Sequence, residues 1–231
     1  PWPTLDAYVA QVGVLSSREV ARLGIKLLQS IGCLEKQRLV HGDLVPKHIH
    51  VSRRDDGDYE IKLTGAGADP PKLEDAAGGP KSACAHWSPE QWAGGALSTS
   101  SDIYMVASML WEIATGAAPH PLSSASVSSA ERLVELREEL RKPDGMPDEL
   151  HDVLARSLQL DPADRGATAA LDGNPGEELL AAGVERQLRG FLSRSSRDED
   201  RGQQKLEAMS FGVADLQERL APLGRLIHRT V

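Results

Sequence analysis

The chain has 231 residues, of which 40% are hydrophobic and 26% are charged, a composition typical of a folded globular protein. Its formal net charge of −8 argues against direct binding to nucleic acid, which requires clustered Lys and Arg side chains. No run reaches the about 18 apolar residues of a membrane span, and the two cysteines form no CxxC pair. We therefore expect an intracellular protein of the nucleus or cytoplasm that contacts neither nucleic acid nor a membrane.

The first predicted elements are helices. Residues 4–9 predict a short helical turn, and Ser16 with Glu19 has the pattern of a capping box. Apolar residues then recur at steps of three and four over residues 20–34, which is typical of an amphipathic helix with one buried face. This helix leads into a polar stretch between two apolar runs, residues 39–51, where a functional loop is expected.

A β-hairpin is predicted after this loop. Residues 49–51 and 59–63 alternate apolar and polar side chains, and the Asp-Asp-Gly-Asp sequence of residues 55–58 suits the turn between them. Residues 68–86 are rich in Pro, Gly, Ala and Asp without apolar periodicity, which predicts a long loop.

The second half of the chain is predicted to be helical. Residues 102–114 are apolar on nearly every side, as in a helix at the centre of a domain, and further helices are expected over residues 129–141 and 149–160. We therefore predict a mainly α fold with one small β-hairpin. Because the composition shifts to helix formers, we place a domain boundary near residue 172, between a domain of residues 1–172 and a helical C-terminal extension of residues 173–231 packed on it. This extension includes an apolar stripe between residues 206 and 227.

Four motifs, in this order and spacing, resemble the C-terminal lobe of a eukaryotic-type protein kinase over residues 4–172. Residues 41–48, His-Gly-Asp-Leu-Val-Pro-Lys-His, resemble the catalytic loop His-Arg-Asp-Leu-Lys-Pro-x-Asn. Ser-Pro-Glu at residues 88–90 resembles the Ala-Pro-Glu that ends the activation segment, and Asp102 stands where the central helix begins. Asp-Pro-Ala-Asp-Arg at residues 161–165 resembles Asp-Pro-x-x-Arg.

The resemblance implies both a fold and structural roles. Asp102 is expected to bond the backbone of the loop, and Glu90 is expected to form a buried ion pair with Arg165. No Gly-rich loop, strand Lys or helix Glu precedes Thr4, so we expect a kinase C-lobe whose N-terminal lobe is absent.

The chain departs from the family motifs at the positions that carry chemistry. Asp43 stands at the position of the catalytic base, but Val45 replaces the loop Lys, His48 replaces the Asn that ligates magnesium, and Gly65 replaces the Asp of Asp-Phe-Gly. We therefore interpret His41, Asp43, His48 and Gly65 as degenerate remnants. The resulting prediction is a pseudokinase: not an enzyme, with no cofactor, no metal, and no binding of ATP or magnesium.

The leading functional hypothesis is a catalytically inactive scaffold that binds other proteins. Because of Gly42, residues 41–43 read His-Gly-Asp and not His-Arg-Asp, and in this they resemble the Bub family of spindle-checkpoint kinases, including the Bub-like pseudokinase of kinetoplastids. This resemblance implies a kinetochore location. One alternative is a small-molecule phosphotransferase of aminoglycoside- or choline-kinase type, in which Asp69 would be the only nearby carboxylate able to bind metal. Another is an atypical active protein kinase whose N-lobe lies outside this sequence.

Overall fold

The structure is a computed structural model that describes residues 2–67, 85–117, 119, 140–165 and 180–197. The chain divides into two compact units, Pro1–Phe191 and Leu192–Val231. Most of the predicted loop of residues 68–86, most of the predicted helix of residues 129–141 and the stripe between residues 206 and 227 lie outside the described residues. Within the described ranges, no helix combines the length and apolar character needed to cross a membrane.

Two helices, α1 (Leu5–Val12) and α2 (Ser17–Lys36), open the first unit. The predicted capping box of α2 is confirmed, since the Ser16 hydroxyl accepts from the Glu19 amide and the Glu19 carboxylate accepts from the Ser16 amide. Its apolar face is buried, also as predicted. Helix α1 extends beyond the predicted turn and ends at Gly13, whose φ of 76° an L side chain rarely adopts.

The predicted β-hairpin is confirmed as strands β1 (Ile49–Arg53) and β2 (Tyr59–Leu63). The strands are antiparallel, with Val51 opposite Ile61, and β2 lies against α2. The N-terminal segment runs beside β1, because the Val51 amide donates to the Pro3 carbonyl oxygen at 3.0 Å. The hairpin is thereby anchored at one edge of the helical layer, directly after the polar loop.

Three further helices follow: α3 (Pro89–Trp92), α4 (Thr99–Thr115) and α5 (Asp148–Ser157). Helix α4 is buried along almost its whole length and contacts both α2 and α5, so it is the central helix that the sequence predicted. It begins three residues before Asp102, and at its start the Ser101 hydroxyl accepts from the Ser98 amide at 3.0 Å. Helix α5 ends at Ser157, earlier than predicted.

Residues 180–191 of the first unit are helical and are called α6; residues 192–197 of the second unit are helical too. Helix α6 contacts α2 through polar side chains. Glu35 accepts from the amides of Leu180 and Ala181 at 3.0 and 3.3 Å, and Gln29 donates to Glu185 at 3.0 Å. The mainly α fold with one hairpin is confirmed for the described residues, whereas the boundary at residue 172 and the absence of an N-terminal lobe stay predictions.

Candidate active site

One buried carboxylate on α4 holds the polar loop of residues 41–48. Oδ2 of Asp102 accepts from the His41 amide at 2.8 Å, and Oδ1 accepts from the Gly42 amide at 2.9 Å. Burial raises the pKa of Asp102 to about 6, although the two amide hydrogen bonds act in the opposite direction. The start of the loop is therefore fixed to the central helix through its main chain.

Gln91 on α3 holds the same loop from a second side. Its Nε2 donates to the carbonyl oxygen of Gly42 at 2.9 Å, and its Oε1 accepts from the Ser88 amide at 3.0 Å. Gly42 has a φ of +75°, so the conformation itself favours glycine at this position. Gln91 was not among the residues predicted from the sequence, although Ser88 and Gln91 have the spacing of a capping box.

His41 lies beneath the loop and is only 1% exposed. Its Nε2 donates to the carbonyl oxygen of Thr64 at 3.1 Å, and Nδ1 has no hydrogen-bond partner among the described residues. Burial lowers the pKa of His41, more than the hydrogen bond to Thr64 raises it. A neutral ring with its proton on Nε2 satisfies this geometry, and it connects the loop to the end of β2.

Asp43 and His48 face each other across the loop. Nδ1 of His48 donates to the main-chain carbonyl oxygen of Asp43 at 2.8 Å and lies 3.3 Å from Oδ2 of the same residue. The Asp43 side chain is 20% exposed, so it is partly open to solvent. Asp43 and His48 are thus brought together, whereas the sequence had predicted only separate remnants.

The residues at the family's metal positions do not fit magnesium, which prefers oxygen ligands. His48 offers a ring nitrogen and Gly65 offers no side chain. Gly65 lies beside the His48 ring, since a Cβ there would be in van der Waals contact with Nδ1 at 3.4 Å, and its φ of 82° itself favours glycine. In the described part of the chain no three His, Cys, Asp or Glu side chains are grouped to hold a metal. Asp69 lies outside that part.

Glu90 and Arg165 form the ion pair that the resemblance implied. Nη1 and Nη2 of Arg165 donate to Oε1 and Oε2 of Glu90 at 2.6 and 2.9 Å. The Arg165 side chain is 0% exposed, and the Glu90 side chain is 12% exposed. The pair is bidentate and buried, the geometry in which an arginine is hardest to replace.

A second polar cluster, missed in the sequence, surrounds His86. Its Nδ1 lies 2.9 Å from the Ser108 hydroxyl, and its Nε2 lies 2.9 Å from Oε2 of Glu112. The hydrogen bond from His86 lowers the pKa of Glu112 more than burial raises it. The cluster joins the residues before α3 to the C-terminal half of α4, and it borders a cavity of about 450 Å³ beside α1.

A helical lobe with one hairpin, a loop bonded to a central helix and a buried Glu–Arg pair is the arrangement of a protein-kinase C-terminal lobe. The sequence profile described as protein tyrosine and serine/threonine kinase matches residues 4–173. The chain therefore belongs to this family.

Three relatives illustrate the similarity. The megakaryocyte-associated tyrosine-protein kinase of Mus musculus is 28% identical over 174 residues, which is 74% of this chain and 33% of the relative. A probable serine/threonine-protein kinase of Clostridium perfringens is 24% identical over 168 residues, 72% of this chain and 24% of the relative. The serine/threonine-protein kinase pkn3 of Myxococcus xanthus is 30% identical over 169 residues, 67% of this chain and 30% of the relative. The chain spans a third or less of the length of these relatives.

The prediction that the chain is not an enzyme is wrong. Its family and its named relatives are tyrosine and serine/threonine protein kinases, and they point to a kinase. The prediction relied on Val45, His48 and Gly65, which show only which side chains differ from the motifs. They do not show that phosphoryl transfer is lost, because side chains from other parts of a folded chain can supply the same charges.

Proposed function

We propose that the chain is the C-terminal lobe of an atypical protein kinase, in which Asp43 accepts the proton of a substrate hydroxyl during phosphoryl transfer. The observation that carries the proposal is the fixed loop: Asp102 and Gln91 bond its main chain, and the Asp43 carboxylate stays accessible at its surface. A positioned carboxylate at this place is what a protein kinase needs to orient the attacking hydroxyl.

The described residues account for one side of the reaction. Asp43 orients and deprotonates the hydroxyl, Asp102 keeps the loop in place, and His41 supports it from beneath. Val45 is buried and supplies no charge to a phosphoryl group. Since the family's metal positions do not fit magnesium, no step is assigned to a metal here. That the whole protein uses a nucleotide, acts on protein substrates and has partners is part of the same proposal.

The test is transfer of labelled phosphate from ATP to generic protein substrates by the full chain, with either magnesium or manganese present. We expect slow transfer by the wild-type chain and a loss of about 100-fold or more in Asp43→Asn, as for removal of a general base. Asp56→Asn changes an exposed carboxylate in the hairpin turn and serves as the control. Unchanged thermal unfolding should show that both variants fold. A wild-type chain that transfers no phosphate under any of these conditions would overturn the proposal.

The kinetochore role and the small-molecule phosphotransferase are not part of the proposed function. The checkpoint and kinetochore role rested on Gly42, and the positive φ of this residue gives it a local structural reason that is independent of any subfamily. The small-molecule phosphotransferase is not favoured, because the relatives are named protein kinases. Binding to other proteins, the lack of contact with nucleic acid or membranes, and a location in the nucleus or cytoplasm stay predictions.

A further inference from the structure

We propose that His48 is a positioning residue for Asp43: its ring bonds the main-chain oxygen of Asp43 and lies against the carboxylate that accepts the substrate proton. The inference deepens the proposed function and rests on it. His48 thereby has a role of its own at the position where the family's metal ligand is replaced.

The contacts of the His48 ring determine which nitrogen carries its proton. Both groups near Nδ1, the main-chain oxygen of Asp43 at 2.8 Å and its Oδ2 at 3.3 Å, are acceptors. Nδ1 must therefore carry a proton to bond either of them. A neutral His48 then has its proton on Nδ1 and a bare Nε2, which is the opposite of the arrangement in His41, where Nε2 donates to Thr64.

The same ring nitrogen acts on Asp43. Nδ1 of His48 donates to the main-chain oxygen, which restricts the backbone, and lies 3.3 Å from Oδ2, which sets the N–H edge of the ring beside the carboxylate without a second hydrogen bond. The His48 side chain is 33% exposed and that of Asp43 is 20% exposed, so water does not fully screen this contact. The contact therefore favours one orientation of the carboxylate before a substrate arrives, which assists proton transfer.

Gly65 is a neighbour of the His48 ring. At Gly65, an added Cβ would lie 3.4, 3.6 and 3.7 Å from Nδ1, Cε1 and Cγ of His48. These are ordinary van der Waals distances, so residue 65 lies directly against the ring, and the φ of 82° at Gly65 gives glycine a backbone reason at this position.

The activity test compares substitutions at residue 48. We expect His48→Ala to lower kcat by about 10- to 100-fold while KM for a peptide changes by less than about twofold, since only the orientation of Asp43 is lost. His48→Asn should recover most of the rate, because a carboxamide NH₂ can donate to the same oxygen. His50→Ala is the matched control, as His50 bonds the Trp2 carbonyl oxygen away from Asp43. Unchanged kcat in His48→Ala would overturn the inference.

The second test does not depend on activity. In a ¹⁵N-histidine NMR spectrum of the full chain, assigned by the signals lost in His48→Asn, the His48 ring should carry its proton on Nδ1. A neutral ring with its proton on Nε2 would overturn the contact. Gly65→Ala should shift these signals, whereas Gly67→Ala should not, because Gly67 has a similar positive φ and nothing within 4 Å of its added Cβ. If the wild-type chain transferred no phosphate, both the proposed function and the catalytic role of the contact between His48 and Asp43 would be overturned. The NMR result would still decide whether that contact exists.

Discussion

At the scale of single residues, Asp102 shows how the fold tolerates a buried carboxylate. The side chain is 1% exposed, yet each of its two oxygens accepts from a main-chain amide of the loop. These two bonds satisfy amides that would otherwise be buried without partners. The charge itself remains costly, since burial still raises the pKa of Asp102 to about 6 from its ordinary value of 3.8.

The raised pKa of Asp102 predicts a pH-dependent stability. Between pH 3.8 and about 6, the folded chain binds a proton at Asp102 and the unfolded chain does not. The contribution of Asp102 to the free energy of unfolding therefore falls as the pH rises. Because one pKa unit corresponds to about 1.4 kcal/mol, the contribution changes by about 3 kcal/mol. Asp102→Asn removes this proton exchange. As the pH rises from 4 to 7, the free energy of unfolding of Asp102→Asn should therefore increase relative to that of wild type, as measured by urea denaturation. A difference between the two chains that does not vary with pH would contradict this prediction.

The motifs predicted the contacts of the structural residues but not those of Gln91 and His48. Asp102, Glu90 and Arg165 stand at positions where the family resemblance implied their contacts. The bond from Gln91 to the Gly42 carbonyl and the bond from His48 to the Asp43 carbonyl could not be predicted. Both acceptors are main-chain oxygens, whose direction depends on the curvature of the loop and not on residue identity.

At the scale of helices, α2 passes closely over two neighbours at Gly24. A Cβ at this position would lie 2.7 Å from Cδ1 of Leu110 on α4 and 2.8 Å from Cδ1 of Leu188 on α6. Glycine therefore permits these helices to approach one another within a packed core. Periodicity predicted the buried face of α2, but a glycine within a helix gives no sign of which neighbours approach it.

Gly24→Ala should destabilise the chain although alanine is the better helix former. Overpacking a tight site costs about 1–3 kcal/mol, which exceeds the gain of about 1 kcal/mol in helix propensity. Gly32→Ala on the same helix is the matched control, because its nearest atom, Cβ of Ala181, lies at 3.8 Å. Chemical denaturation should show a loss for Gly24→Ala and no loss for Gly32→Ala. If Gly24→Ala were as stable as wild type, the close approach would be wrong.

At the scale of the whole described lobe, Arg165 joins segments that are far apart in the chain. Besides Glu90 on α3, it donates to the carbonyl oxygens of Ser100 on α4 and of Gln159 and Leu160 after α5. Its guanidinium also lies 4.8 Å from the ring centroid of Tyr104. Burial raises the pKa of Glu90, but the hydrogen bonds and charge of Arg165 together leave it below 4.5, so the pair persists at neutral pH.

Removing one member of this pair should be worse than removing both. Arg165→Met leaves the buried Glu90 carboxylate without its counter-ion and should cost about 3–5 kcal/mol. The double variant Glu90→Leu/Arg165→Met removes that stranded charge and should recover part of the loss, although the carbonyl oxygens of Ser100, Gln159 and Leu160 still lack their donor. Arg54→Met breaks exposed contacts to Asp56 and Glu60 and should change stability by less than about 1 kcal/mol. Thermal and urea unfolding of the four chains, including wild type, measure these differences. A double variant less stable than Arg165→Met alone would show that the cost arises from lost packing and not from an unpaired charge.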